Sequence, residues 1–264
     1  MNDTRPVEPA PLPSRTFGAG PPSAFAPPSP WRRRVQIFGW ILAVLLALLM
    51  ILVAWLAITA PLSRSLKPIV PPSISLMSAD GHLIARRGAV IDTPVTMTEL
   101  PPHVPQAFMA IEDRRFPTHW GIDPRGVARA MWHNLWSDGA SQGGSTITQQ
   151  LAKGVFLSSD RTLGRKAREA LIALWLEVWL TKDQIMERYL SNVYFGDNVY
   201  GLRAAARHYF NRVPARLTVP QAAMLAGLLK APSRLAPTGN LSGARARAAL
   251  VTQAMVDAGY LTQE

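Results

Sequence analysis

The chain has no cysteine, which excludes structural disulfides and cysteine-ligated zinc and leaves the compartment open. Charge is scarce too: only 17% of the 264 residues are Asp, Glu, Lys or Arg. Acidic residues are the scarcer kind, 17 against 28 basic ones, so the formal net charge is +11. A balance this basic points to an anionic partner: nucleic acid, a lipid surface or a phosphorylated substrate. There is no GxxxxGK[ST] run, which disfavours a nucleotide P-loop. No internal repeat is visible.

What is present is one long apolar run. From Val35 to Thr59 no residue is charged (VQIFGWILAVLLALLMILVAWLAIT). A helix needs about 20 apolar residues to cross a bilayer, so this run is long enough. Trp31, Trp40 and Trp55 stand toward its ends, where indole rings favour the interface. A cleaved signal peptide would have a shorter apolar region, about 7–15 residues, and a small-residue cleavage site. Ala57-Ile58-Thr59-Ala60 is a poor one. The expectation is an uncleaved, single-pass anchor. Arg32, Arg33 and Arg34 precede it, which puts the N-terminus in the cytoplasm and the rest outside. In a bacterium that means the outer face of the plasma (inner) membrane. Residues 1–34 hold five Arg against Asp3 and Glu8, which leaves +8 beyond the anchor. A basic domain tethered there can grip anionic lipid head groups or a lipid pyrophosphate. Nucleic acid is not an expected partner.

Four regions follow from these shifts in composition: a Pro-rich cytoplasmic tail over 1–34, the anchor over 35–59, a linker with short strands over 60–94, and a mainly α domain over 95–264. Pro, Ser and Ala dominate the tail, which cannot bury enough apolar surface to fold. Within the linker, SISLMSADGHLIARRG reads as two strands around Asp80-Gly81, a hairpin signal. Farther on the periodicity is helical. Ala167, Leu171, Leu174, Trp175 and Val178 recur at three- and four-residue steps, as do Ile185, Met186, Tyr189, Leu190 and Val193. Thr218 before Pro220 marks another helix start.

Three clusters could carry chemistry. AFMAIEDRRFPTHWGIDPRGVARA (107–130) packs Glu112, Asp113, His119, Asp123 and several arginines, among them Arg129, into a short span. Neighbouring acids and bases shift one another's pKa, which suits acid–base work, although a solvated helix end with ion pairs looks the same. QGGSTITQQLAK (142–153) has a Gly-Gly turn, a helix start with free N–H groups for an anion, and neutral hydrogen-bonding groups such as sugar hydroxyls require. DRTLGRKAREALIALWLE (160–177) sets Arg165 and Lys166 within reach of Glu169 on a helix, the pattern of an ordinary surface ion pair.

In this order and spacing the clusters resemble the motifs of the peptidoglycan glycosyltransferases, which include monofunctional enzymes and the N-terminal domains of class A penicillin-binding proteins. IMERYLSNVYFGDNVYGLRAAARHYF (185–210) resembles their fourth motif and LTVPQAAMLAGLLKAPSRLAP (217–237) their last. The resemblance covers roughly residues 95–260. It implies a lysozyme-like helical glycosyltransferase domain with a membrane-associated subdomain. It also implies polymerisation of lipid II into β-1,4-linked glycan strands, with inversion and release of undecaprenyl pyrophosphate. By the same resemblance Glu112 is the general base and Glu169 orients the nearby cations. Lys153, Arg161, Arg165 and Lys166 then bind the pyrophosphate, and Ser145, Thr146, Gln149 and Gln150 bind sugar and phosphate. Arg129 and His119 are supports. Implied partners are lipid II, lipid-linked glycan, the membrane and cell-wall synthesis proteins. No metal-ligand cage is visible, although the family sometimes uses a divalent cation (Mg or Mn) near the pyrophosphate. The chain departs from the family at Ser191, where YLN is usual, and at Gly196-Asp197-Asn198, where Gly-x-Gly is commoner. No SxxK, SxN and KTG set follows the last motif, so no transpeptidase is expected in this chain. It is expected to be a monofunctional enzyme or part of a longer one. A lytic enzyme of lysozyme-like fold also uses a glutamate, but its sugar leaving group calls for a general acid and not for a cluster of cations.

Overall fold

The computed structural model describes residues 30–59, 73–88, 90, 92–136, 143–156 and 162–262. The expected tail up to residue 29, the linker over 60–72 and Arg161 lie outside the described residues. Contacts divide the chain into two units, Met1–Ile51 and Leu52–Glu264. The first holds most of helix α1 (Pro30–Thr59). The stretch Trp31–Trp55 is long and apolar enough to cross a membrane. Side chains such as Leu45, Ile51 and Phe38 are exposed all round it, an arrangement suited to lipid.

The second unit contains the end of α1 and then the expected hairpin. β1 (Ser73–Met77) pairs antiparallel with β2 (Leu83–Gly88), and the register shifts once, between Leu76 and Met77. Gly81 makes the turn at φ +83°, a conformation that favours glycine. The remainder is helical: α2 (His103–Glu112), α3 (Pro124–Trp136), α4 (Ile147–Phe156), α5 (Leu163–Trp179), α6 (Lys182–Asn192), α7 (Leu202–Phe210), α8 (Val219–Leu228), α9 (Pro232–Leu235) and α10 (Pro237–Asp257).

Helix α8 is the axis of the core. Ala222, Ala223, Leu225, Ala226, Gly227 and Leu228 are all buried, so the helix is apolar around its circumference. Its start is as the sequence indicates: Pro220 lies in the first turn, and Gln221 Oε1 accepts from the Thr218 N–H at 3.0 Å. α2 and α10 pack on it, while α4 packs on α5 and α6. The two groups share one hydrophobic core, joined at places such as the edge-to-face pair Phe108–Phe195. Helix α10 is kinked at Asn240 (φ −147°, ψ 65°), whose Oδ1 accepts from the Gly243 N–H at 2.9 Å and restarts the helix.

The periodicity of α6 holds: Ile185, Met186, Tyr189 and Leu190 are buried. That of α5 is out of phase and is corrected here. Its buried face is Glu169, Ile172, Ala173 and Leu176, while Leu174 and Val178 are exposed. The helix carries a second apolar stripe that mimics a core face, and the face that packs inward is pinned by a charged residue, Glu169, which a hydropathy pattern assigns to the outside.

The departures from the family pattern are accommodated. Ser191 Oγ accepts from the Val95 N–H at 3.0 Å. Asp197 and Asn198 sit at φ 49° and 62°, where short polar residues are tolerated, and Asp197 Oδ2 accepts from Thr238 Oγ1 at 2.7 Å.

Gly121 marks the tightest approach of the loop between α2 and α3 to α5. Its φ is +66°, and a Cβ there would stand 2.8 Å from the Ala173 carbonyl oxygen. Gly121→Ala is expected to destabilise the protein by about 1–3 kcal/mol and to lower the thermal midpoint. Gly154→Ala, placed in open space on α4, is expected to leave that midpoint unchanged or raise it.

Candidate active site

α2 ends on Glu112, and the chain leaves the helix at Asp113 with φ −160° and ψ 80°. This turn sends the two adjacent carboxylates to different tasks. Asp113 is buried. Its Oδ2 accepts from His119 Nε2 at 2.8 Å and from the Ile147 N–H, the first of α4, at 3.1 Å. A carboxylate at that helix start is favoured by the exposed N–H groups and the dipole. Lys182 Nζ then clamps the same loop. It donates to the His119 carbonyl at 2.6 Å and to Glu177 Oε1 at 2.8 Å, and it lies 4.6 Å from the centre of the Phe116 ring.

Thr146 and Gln149 are also buried. Gln149 Oε1 accepts from the Thr146 N–H at 3.1 Å, Thr146 Oγ1 accepts from the Gln149 N–H at 3.2 Å, and the Thr146 hydroxyl donates to the Gly121 carbonyl at 2.6 Å. This is a capping box. The Thr146 hydroxyl and Gln149 Oε1 are thereby engaged in starting α4 and fixing the loop. His119 reaches the site only through its bond to Asp113.

One turn farther along α4, Gln150 Nε2 donates to Glu112 Oε2 at 2.7 Å, and Tyr189 donates to Gln150 Oε1 at 3.1 Å. Glu112 is half-buried and lines two adjoining cavities. One, about 530 Å³, is bordered by Lys153, Lys230, Arg247, Glu169, Ser145 and His133. The other, about 320 Å³, is bordered by Arg114, Arg115, Arg129 and the Gly143–Thr146 turn. Loss of water raises the Glu112 carboxyl above the ordinary carboxylate value. The Gln150 bond and the charges of Arg247 and Lys230 pull it back down, and Asp113 pushes it up. A carboxylate with a raised pKa beside open space is suited to taking a proton.

Glu169 is only 1% exposed, yet both of its oxygens are engaged. Oε2 accepts from Arg165 Nη1 at 2.8 Å, and Oε1 accepts from Lys166 Nζ. Lys166 also donates to Ser145 Oγ at 3.0 Å. A buried carboxylate held by two cations orients them and has no free oxygen for proton transfer. Among the described residues, no group of three His, Asp or Glu side chains comes together to hold a metal ion.

Lys230 and Arg247 were not singled out by sequence. Lys230 stands within the last motif, beyond the end of α8. Arg247 comes from α10, where Ala244, Ala248 and Val251 form the buried stripe and leave Arg247 on its flank. The stem of Arg247 crosses Gly227: a Cβ there would lie 3.0 Å from Arg247 Cγ. The tertiary signal was therefore present as a glycine in an otherwise apolar helix.

A family model described as Transglycosylase matches residues 80–256. Penicillin-binding protein 1A of Escherichia coli (strain K12) is 47% identical over 191 residues, 72% of this chain and 22% of that relative. Penicillin-binding protein 1F of Bacillus subtilis (strain 168) is 40% identical over 196 residues, 74% of this chain and 28% of that relative. A crystal structure of penicillin-binding protein 1A from Haemophilus influenzae aligns with a TM-score of 0.42 at 22% identity, over 74% of this chain and 19% of that one. The chain spans about a quarter of the length of the curated relatives it matches.

Because Arg247 and Lys230 lower the Glu112 pKa, removing either charge raises it. In Arg247→Met and Lys230→Met the Glu112 carboxyl, followed by carbon-13 NMR, is expected to titrate at higher pH than in the parent, by a few tenths of a unit to about one unit.

Proposed function

The chain belongs to the transglycosylase family, and from that premise we propose that it is a membrane-anchored peptidoglycan glycosyltransferase in which Glu112 is the general base. The observation that carries this reading is the place of Glu112. It is a half-buried carboxylate of raised pKa that lines two cavities, one of them edged by Lys153, Lys230 and Arg247. The reaction joins lipid II to a lipid-linked glycan. Helix α1 holds the domain at the membrane where both substrates reside, with the N-terminus in the cytoplasm.

The chemistry asks for little else. The acceptor's 4-hydroxyl is a poor nucleophile until a base takes its proton, and the oxygen of Glu112 that Gln150 does not hold receives it. The hydroxyl oxygen forms a bond to the donor's anomeric carbon from the face opposite the leaving group, which inverts that carbon. The bond from that carbon to the pyrophosphate oxygen breaks, and its electron pair leaves with undecaprenyl pyrophosphate. A pyrophosphate is a weak base, so cations rather than an acid stabilise its departure. Lys153, Lys230 and Arg247 border the larger cavity, and Lys166 and Arg165 approach it from Glu169. Arg161 is a further cation of this set by its place in the motif. The smaller cavity, with Arg115 and Arg129, suits the second lipid-linked substrate.

The test is polymerisation of lipid II by the detergent-solubilised protein. Glu112→Gln is expected to lower the rate about 10²–10⁴-fold, the usual worth of a positioned base. An unchanged rate would remove Glu112 from the mechanism, and cleavage of preformed glycan without polymerisation would make the protein a lytic enzyme. Folding supplies the control. A carboxyl whose pKa rises on folding adds stability at low pH and loses that contribution as pH climbs through the folded value. The neutral glutamine is therefore expected to leave the thermal midpoint at neutral pH no lower than the parent's.

A further inference from the structure

We infer that the Tyr189 hydroxyl is a positioning group for the base: by donating to the carbonyl of Gln150 it holds that amide with its NH₂ toward Glu112. The inference rests on Glu112 as the base and adds a residue that reaches it only through another side chain. Tyr189 belongs to α6, Gln150 to α4 and Glu112 to α2, so the chain of contacts ties together three helices.

The argument is one of amide orientation. A glutamine side chain has a donating end and an accepting end, and turning it over exchanges them. Toward an anionic Glu112 only the NH₂ end is favourable; the carbonyl end would place two oxygens against each other. The observed orientation meets this need, with Nε2 at 2.7 Å from Glu112 Oε2. It also leaves Gln150 Oε1 pointing back among packed helices, where an unpaired carbonyl is costly. Tyr189 supplies the missing donor at 3.1 Å from a site that is 2% exposed. A phenol is well suited here. It donates readily, it stays neutral, and burial together with Glu112 and Asp113 pushes its own pKa far up, so it never competes with Glu112 as a proton donor at working pH. Gln150, expected from the motif to bind substrate, has both ends of its amide occupied within the protein.

The charged groups facing Glu112 are Asp113, Lys153, Glu169, Lys230 and Arg247, with the His133 ring, in and beside the larger cavity, and Arg114, Arg115, Asp123 and Arg129 in the smaller. None of them changes when the Tyr189 hydroxyl is removed, so Tyr189→Phe isolates the orientation effect. In Tyr189→Phe, Gln150 loses the partner for its carbonyl and turns or swings away, and Glu112 loses the bond that lowers its pKa.

The experiment follows the Glu112 carboxyl by NMR and the pH profile of lipid II polymerisation in the same proteins. Tyr189→Phe is expected to move the Glu112 titration, and the acid limb of kcat/KM with it, to higher pH by about one unit. Well above that limb, where the base is ionised in both proteins, the rate should recover to within a few-fold of the parent. In a Gln150→Leu background the same substitution should produce no further shift. A uniform loss of rate with an unmoved Glu112 titration would make Tyr189 a packing residue only and overturn the inference. Equal shifts with and without Gln150 would overturn it as well, because Tyr189 would then act directly. The NMR titration reports on Glu112 whether or not that residue is the base, so loss of the base assignment in Glu112→Gln remains a separate result.

Discussion

A carboxylate that must accept a proton needs two opposed conditions at once: little enough water that it holds a proton readily, and enough positive potential that it is ionised before the reaction. If Glu112 is the base proposed above, its surroundings meet both demands. Burial at the end of α2 supplies the first. The second comes from three separate places, the Gln150 amide on α4, Lys230 beyond α8 and Arg247 on α10. No local segment could bring them together, which is why the apolar α8 matters: α2 and α10 are both laid along it and carry their polar ends to one cleft.

Other charged groups serve the same end by a different route. Asp113, Lys182 and Glu177 tie the loop after Glu112 to its neighbours: Asp113 accepts from the Ile147 N–H of α4, and Lys182 of α6 joins the His119 carbonyl to Glu177 of α5. Buried ion pairs contribute little net stability compared with apolar replacements, but they penalise every arrangement that leaves one partner alone. In this domain that penalty fixes where the loop after Glu112 lies relative to α4, α5 and α6. The place of the Glu112 carboxyl is thus fixed in part by hydrogen bonds that other side chains make.

How much of this was readable in advance varies with range. Helix starts and ends set by local chemistry, such as Thr218 with Pro220 or the turn at Gly81, were legible because a single residue type answers a single backbone need. The apolar run of α1 was legible by length alone. Glu112 and the cations of the third cluster stand out by motif order, not by their own composition, which fits a surface ion pair equally well. Thr146 and Gln149 show where residue types alone fall short, because a capping box and a sugar site draw on the same side chains. The face of α5 was misjudged because Glu169 points inward. Lys230, Arg247 and Tyr189 were missed because what matters about them is the neighbour each meets across the fold.

The kink at Asn240 has a consequence for how the domain tolerates change. Successive residues of a helix are turned by about 100°, so the direction of Arg247 depends on how many residues separate it from the point where α10 restarts. Adding or removing one residue between Asn240 and Arg247 would swing the guanidinium about a quarter turn around the helix and carry the small-residue stripe off α8 with it. Substitutions in that stretch alter a contact, whereas insertions alter a phase. The seven steps from the kink to Arg247 are therefore counted.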